Sequence, residues 1–215
     1  MSRASVGPNQ ALWEKGDFTR IAATMRESGE ALVQRIGIAR GLRLLDVGCG
    51  DGTTALPAAK AGAQVLGVDI ARNLVEAGNR RAAELGLANC RFQQGDATNL
   101  QPIPDHAFDM VVSIFGAMFA PEPFHVAKEM VRVARPGGRI VMGNWIPHDP
   151  TLVAQILRIS AAYTPPPTMR AFEAASKSGR EASLQAELEE LFTSQNTGAD
   201  GTTIPATFLR VEVTC

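Results

Sequence analysis

Short apolar runs alternate with stretches of helical periodicity along most of this chain. RLLDV (43–47) reads as a buried strand, followed by a short helix in TTALPAAKAG that ends near Gly62. QVLGVDI (64–70) is a second strand. The helix after it, ARNLVEAGNRRAAELG, carries Leu74, Ala77, Arg81 and Leu85 at helical spacing and stops at Gly86. CRFQQGD (90–96) reads as a third strand. FDMVVSIFG (108–116) reads as a fourth, apolar nearly throughout, as a strand covered on both faces should be. PFHVAKEMVRVAR puts Phe124, Ala127, Val131 and Ala134 on one helical face, and PGG then turns into a fifth strand, RIVMGNW (139–145). Five alternations of strand and helix predict an α/β fold with a doubly wound parallel sheet and helices on both faces.

The flanks differ in character. Residues 9–38 read as amphipathic helical material. After the fifth strand, HDPT places Asp149 as N-cap and Pro150 at the first helical position of a helix over 151–163. A proline run (165–167), a polar helical region to about Gln195 and a last strand in IPATFLRVEV complete the chain. This organisation is a single domain: an N-terminal helical part (1–40), a core (41–146) and a C-terminal part (147–215).

The bulk numbers narrow the class without deciding it. At 215 residues, 45% apolar and 20% charged, the chain reads as one soluble globular domain. A net charge of −1 with no basic stripe gives no electrostatic case for nucleic acid. No run approaches membrane-spanning length, and the start lacks a signal-peptide core, so a cytoplasmic protein without a membrane partner is expected. Cys49, Cys90 and Cys215 share no metal spacing and read as reduced thiols.

The chemistry concentrates in LLDVGCGDG (44–52). Ligands of open α/β sheets sit beyond the carboxyl ends of the strands, where strand order reverses, and the first strand ends here. Glycines let the backbone approach a ligand closely. A pyrophosphate would gain from a bare helix N-terminus but lose beside Asp46 and Asp51, whereas a cationic ligand reverses that sign. S-adenosylmethionine carries a sulfonium, an ammonium and one carboxylate, which suits two acids plus loop N–H groups. Asp69, at the end of the second strand, can accept from both ribose hydroxyls. Asp96, in GDA at the end of the third, can read an adenine amino group. Each aspartate alone would more often be a turn or cap residue; three in register beside the glycine loop favour a site.

These segments resemble class I S-adenosylmethionine-dependent methyltransferases. LLDVGCGDG looks like their first motif, VLGVDIA like their second-strand acid, GDATNLQPIPDHAFDMVVSIFG like their third- and fourth-strand motifs, and EMVRVARPGGRIVMGNW like their helix–PGG–strand segment. FDMVVS and RPGG are most similar to the broad group related to ubiquinone/menaquinone C-methyltransferases. The resemblance implies a Rossmann-like, mostly parallel sheet with an antiparallel last strand, and S-adenosylmethionine as methyl donor. Asp46, Gly48, Cys49 and Gly50 would line the methionine end. Asp69 and Ile70 would hold the ribose with help from Asn73, and Asp96 and Ala97 would frame the adenine. Ser113, Ile114 and Phe115 would lie beneath the sulfonium. The N-terminal helices would form a lid, with Trp13 and Phe18, and with Phe115, Phe119 and Trp145, walling a small-molecule acceptor pocket; ordinary helix packing is the competing reading of these aromatics.

Departures from the family sharpen the expectation. SIFGAMF lacks the Asn/Asp-Pro-Pro-aromatic sequence of enzymes that methylate amino groups of bases, and Asp109 lies at the wrong end of the fourth strand for a metal site, so no metal is expected. Methyl transfer then proceeds by in-line attack on the sulfonium methyl, needing mostly alignment and exclusion of water. His148, just past the fifth strand, is the one weak candidate for a general base. The alternatives are a non-catalytic S-adenosylmethionine-binding subunit and a nicotinamide-dependent oxidoreductase, although the latter expects G-x-G-x-x-G. Finally, the family's sheet has seven strands, and no strand-like run lies between the helix at 151–163 and the last strand. Either a segment that would carry the sixth strand is absent from this sequence near 163–169, or the sheet is a truly shortened one of six strands.

Overall fold

The computed structural model describes residues 7–164 and 170–215. The chain separates into two compact units, one running to Gly143 and taking up Arg210–Cys215 again, the other Asn144–Leu209.

The larger unit begins with three helices, α1 (Pro8–Trp13), α2 (Phe18–Thr24) and α3 (Arg26–Ile36). The strand–helix alternation follows: β1 (Arg43–Val47), α4 (Ala55–Lys60), β2 (Gln64–Asp69), α5 (Arg72–Glu84), β3 (Cys90–Gln94), β4 (Phe108–Ile114), α6 (Pro123–Val133) and β5 (Ala134–Trp145). The sheet order is β3-β2-β1-β4-β5-β6, with β6 spanning Phe208–Thr214. The pairs β1–β2, β1–β4, β2–β3 and β4–β5 are parallel. β6 runs antiparallel to β5: Gly137 N–H donates to the Cys215 carbonyl (2.6 Å) and Cys215 N–H to the Gly138 carbonyl (2.9 Å). Chain order reverses between β1 and β4, which opens a crevice at the carboxyl end of β1.

The apolar runs form strands because both of their faces are covered. Leu45, Val47, Leu66, Val68 and Val111 pack with Val126, Met130 and Val133 of α6 in one core cluster. Alternate residues Leu44, Val65, Met110 and Val112 are equally buried, and α4 and α5 lie against β2 and β3. Three glycines make room for a single ring. A Cβ on Gly52, Gly67 or Gly78 would come within 2.7–2.8 Å of Phe92. Phe92 thus wedges together the glycine loop, β2 and α5.

Several boundaries and faces differ from the sequence expectation. The buried side of α6 is Val126, Met130 and Val133; Phe124 (71% exposed) and Val131 (53%) face solvent, so the stripe through Phe124, Ala127 and Val131 is the wrong face. Leu85 is likewise exposed. β5 starts at Ala134, ahead of the PGG turn, because Phe108 pairs with Ala134 and Met110 with Arg139, the extra residues bulging between them. β6 starts at Phe208, after Pro205, which has no N–H to give a ladder.

The smaller unit holds α7 (Leu152–Ala161), α8 (Ala171–Lys177) and α9 (Glu181–Gln195). Ile159, Ala171, Ala175 and Leu184 form its core, with Tyr163, Leu188 and Leu191 against them. Thr151, not Asp149, is the N-cap of α7; Asp149 instead accepts from Thr151 N–H (2.7 Å) in a turn that precedes the helix. Among the described residues no strand lies between α7 and β6. The expected missing segment falls on 165–169, outside the described residues. Among the described residues, no helix is long and apolar enough to cross a membrane.

Candidate functional site

The crevice at the carboxyl ends of β1, β2 and β4 is built around two glycines in left-handed conformations. Gly48 (φ 69°) follows β1, and a Cβ there would lie 2.7 Å from the Gly116 Cα. Its N–H donates to the Val68 carbonyl at 2.8 Å, and Cys49 N–H does so at 3.2 Å. Gly50 (φ 54°) has open space where a Cβ would stand, so at this glycine the loop backbone is approachable. The loop is therefore sewn to β2 on one side and pressed against the end of β4 on the other.

Asp46 and Asp69 are both buried here. Asp46 accepts from Ala55 N–H, yet its Oδ2 is buried with no partner. Burial, reinforced by repulsion from Asp69, pushes the Asp46 carboxyl up to about 7. Asp69 is also raised by burial, opposed by three backbone donors: Ala71 N–H to Oδ1 at 2.9 Å, Gly50 N–H to Oδ2 at 2.8 Å, and Ile70 N–H. Asn73, in the first turn of α5, has a buried Oδ1 without a partner. Ile70 is half-buried beside Asp69.

Asp96 is exposed, and its Oδ1 accepts from Thr98 N–H and Thr98 Oγ1, both at 2.8 Å. That is the turn arrangement, and it engages one of the two oxygens. The Ala97 side chain packs against the core. Cys49 is buried, its Sγ against Gly67, and burial raises its thiol well above the ordinary range, which removes it as a nucleophile.

At the end of β4 the Ser113 hydroxyl donates to the Val47 carbonyl (2.7 Å) and accepts from Ala117 N–H (2.8 Å). Fully buried, Ser113 ties β4 to the glycine loop and presents no free hydroxyl to a ligand. Ile114 pairs with Gly143 of β5 and is half-buried. Phe115 adopts φ 58°, a conformation costly for a bulky side chain and characteristic of functional turns.

The N-terminal helices lie over this edge. The Trp13 ring stands 5.2 Å from Phe18 and 5.3 Å from Phe119, so three of the five expected aromatics form one cluster. Trp145 ends β5 in the smaller unit and is half-buried. His148 is exposed on a loop with φ 62°. Glu14 accepts from Arg72 N–H at 3.1 Å.

Asp51 departs from its expected role. Its side chain is 1% exposed and held by Arg26 of α3, through Nη1 (2.8 Å) and Nη2 (2.5 Å), with Arg81 of α5 at 3.5 Å. Arg26 also donates to Thr53 Oγ1 (2.7 Å). Asp51 is thus spent on tying α3 and α5 to the loop, and Asp46 remains as the acid with an open acceptor. Arg26 and Arg81 escaped the sequence reading because they lie 25 and 30 residues from Asp51, and nothing local marks such a pair.

Residues 45–142 match the family described as methyltransferase domain. An uncharacterized protein of Mycobacterium tuberculosis is 42% identical over 138 residues, 64% of this chain and 50% of the relative. A demethylmenaquinone methyltransferase of Geobacillus sp. is 38% identical over 115 residues, 52% of this chain and 49% of that protein. The chain thus spans about half the length of these curated relatives. A SAM-dependent methyltransferase from Aquifex aeolicus shares the fold at a TM-score of 0.55 and 20% identity, covering 80% of this chain and 88% of that one. With the glycine loop, the strand-end aspartates and the sheet order already in place, residues 45–142 form a methyltransferase domain of the class I S-adenosylmethionine-dependent family.

Proposed function

We propose that the chain binds S-adenosylmethionine and transfers its methyl group to a small-molecule acceptor. One observation carries this reading: the two buried side-chain acceptors without partners among the described residues, Asp46 Oδ2 and Asn73 Oδ1, fall where an ammonium and a ribose hydroxyl would supply the missing donors. A buried acceptor left unsatisfied costs about 1–3 kcal/mol, so a ligand that brings donors to both recovers that cost on binding. The donor set fits this molecule better than a dinucleotide, because the two arginines that reach the loop, Arg26 of α3 and Arg81 of α5, are committed to Asp51 and not offered to a pyrophosphate.

S-adenosylmethionine supplies a methyl group already activated by its sulfonium. The chain's own residues have only to hold, orient and keep dry. Asp46 would hold the ammonium, Asp69 and Asn73 the ribose, and the second Asp96 oxygen with the Ala97 N–H the adenine. The left-handed turn at Phe115 and the cluster of Trp13, Phe18 and Phe119 would exclude water and present the acceptor. Among the described residues, His148 has no partner that would orient it as a base.

Isothermal titration with S-adenosylhomocysteine tests the reading. The parent should bind, and Asp69→Ala should bind about ten- to a hundredfold more weakly. Equal affinity in the variant refutes the ribose assignment. Turnover of labelled donor against a panel of small acceptors tests catalysis, and binding without any transfer would favour a binding subunit.

A further inference from the structure

β6 is the open edge of the sheet, and among the described residues its outer side has no strand beside it. We propose that this edge pairs with the same strand of a second copy, antiparallel about a twofold axis at Val211, joining two sheets into one. Three features of the strand carry the inference, and none depends on the activity.

The backbone comes first. Cys215 directs both its N–H and its carbonyl to β5. By strand alternation Val213 and Val211 share that orientation, while Arg210, Glu212 and Thr214 turn their N–H and C=O groups to the open side. An axis at Val211 therefore sets Arg210 opposite Glu212 of the second copy as a hydrogen-bonded pair, and Val211 opposite itself as a non-hydrogen-bonded pair.

The side chains obey the same symmetry. In FLRVEVT, reversal about Val211 exchanges Arg210 with Glu212, Leu209 with Val213 and Phe208 with Thr214. Each interface then carries the Arg210–Glu212 pair twice. Glu212 is pre-positioned by Arg139 of β5, whose Nε lies 2.6 Å and Nη2 2.5 Å from its Oε1, so both contacts fall on one of its two oxygens. A shift of register by one residue would bring Arg210 opposite Val211 and lose both pairs.

The apolar face is the third feature. Leu209 (53% exposed), Val211 (37%) and Val213 (49%) alternate on one side of a strand that carries no proline and no inward charge to blunt it. Side by side, the two copies would shield these residues against their counterparts, the contact that stabilises neighbouring strands. A single strand pair lies at the small end of protein interfaces, so the dimer should be concentration-dependent.

Cross-linking tests the register and sedimentation tests the association, in a Cys215→Ser background, since Cys49 and Cys90 are buried. Residues facing each other across the axis stand about 4.5 Å apart at Cα, within the disulfide window. Val211→Cys should therefore give a covalent dimer under mild oxidation. In Val213→Cys the two cysteines would lie about 13 Å apart along the strand and should stay unlinked. Arg210→Glu, which sets like charges together twice, should weaken association on the order of tenfold or more. Equal cross-linking of the two cysteine variants, none in either, or an Arg210→Glu protein that associates as the parent does would overturn the proposal.

Discussion

Replacing Asp46 by asparagine separates the stability of the free protein from its affinity for ligand. The carboxyl is pushed from 3.8 to about 7 by burial and by Asp69. The difference, about 3 units at 1.36 kcal/mol each, puts roughly 4 kcal/mol of destabilisation on the ionised form as an upper bound. A raised folded-state value means that the folded chain holds this proton more tightly than the unfolded one. The stabilisation from the protonated form is then complete below pH 3.8 and is lost as pH rises through about 7. Asp46→Asn removes that loss, so its thermal stability above pH 7 should exceed the parent's, and the gap should close as the pH falls toward 4. Asp69, also raised, contributes pH dependence of the same sign to both proteins, so the difference between them reports Asp46 together with its repulsion by Asp69. Binding should move the other way. An ammonium favours the ionised carboxylate, so S-adenosylhomocysteine binding near pH 6 should release close to one proton in the parent and markedly less in the variant, with affinity reduced on the order of tenfold or more. Differential scanning fluorimetry across pH and titration calorimetry in two buffers of different ionisation enthalpy read both quantities. A variant no more stable than the parent above pH 7, or one that binds as tightly with the same proton release, refutes the reasoning.

Arg26→Ala should lower stability by about 2–3 kcal/mol, since it leaves the buried Asp51 with Arg81 alone, and should speed proteolysis within α1–α3; an unchanged melt and cleavage pattern would deny the locking role. Gly48→Ala should cost about 1–3 kcal/mol and abolish tight ligand binding, because its Cβ meets the Gly116 backbone at 2.7 Å in a left-handed conformation; a crystal structure with an undisturbed loop would contradict this. Phe119→Ala should raise the Michaelis constant for the acceptor several-fold and leave affinity for S-adenosylhomocysteine within about twofold, as expected for a side chain that packs on Trp13 and not on the glycine loop's aspartates; the reverse pattern would move Phe119 to the cofactor side.

Local patterns carried the strands into the sequence reading. RLLDV, QVLGVD and FDMVVSI are apolar because both faces of the sheet are covered, and no other element competes for such a run. The glycine loop and the strand-end aspartates were legible because their chemistry is local. Helical faces were less so. In α6 the apolar residues fall on two stripes, and the exposed pair Phe124 and Val131 satisfied the same spacing as the buried one. Long-range partnerships were not legible at all. Nothing near Asp51 names Arg26, and nothing near Ser113 says that its hydroxyl will bridge Val47 and Ala117, since both facts exist only once the elements are docked. Asp149 illustrates a finer limit: aspartate before proline signals a helix start, and its carboxylate does hold the Thr151 N–H, but the helix begins beyond that turn.

The wedge made by Phe92 ties together positions that are far apart in the chain. Gly52, Gly67 and Gly78 lie in a loop, a strand and a helix, and each is small because the same ring occupies the place of its side chain. Substitutions at these four sites are therefore interdependent. Alanine at Gly78 alone must displace the ring and with it the loop that carries Gly50, whereas alanine at Gly78 beside leucine at 92 replaces one volume by another. In homologous chains, the size of the residue at the third glycine of the loop should vary inversely with the size of the residue in the third strand. A methyl group added to α5, on the far side of the sheet from α6, can then disturb the glycine loop at a distance, through the ring alone.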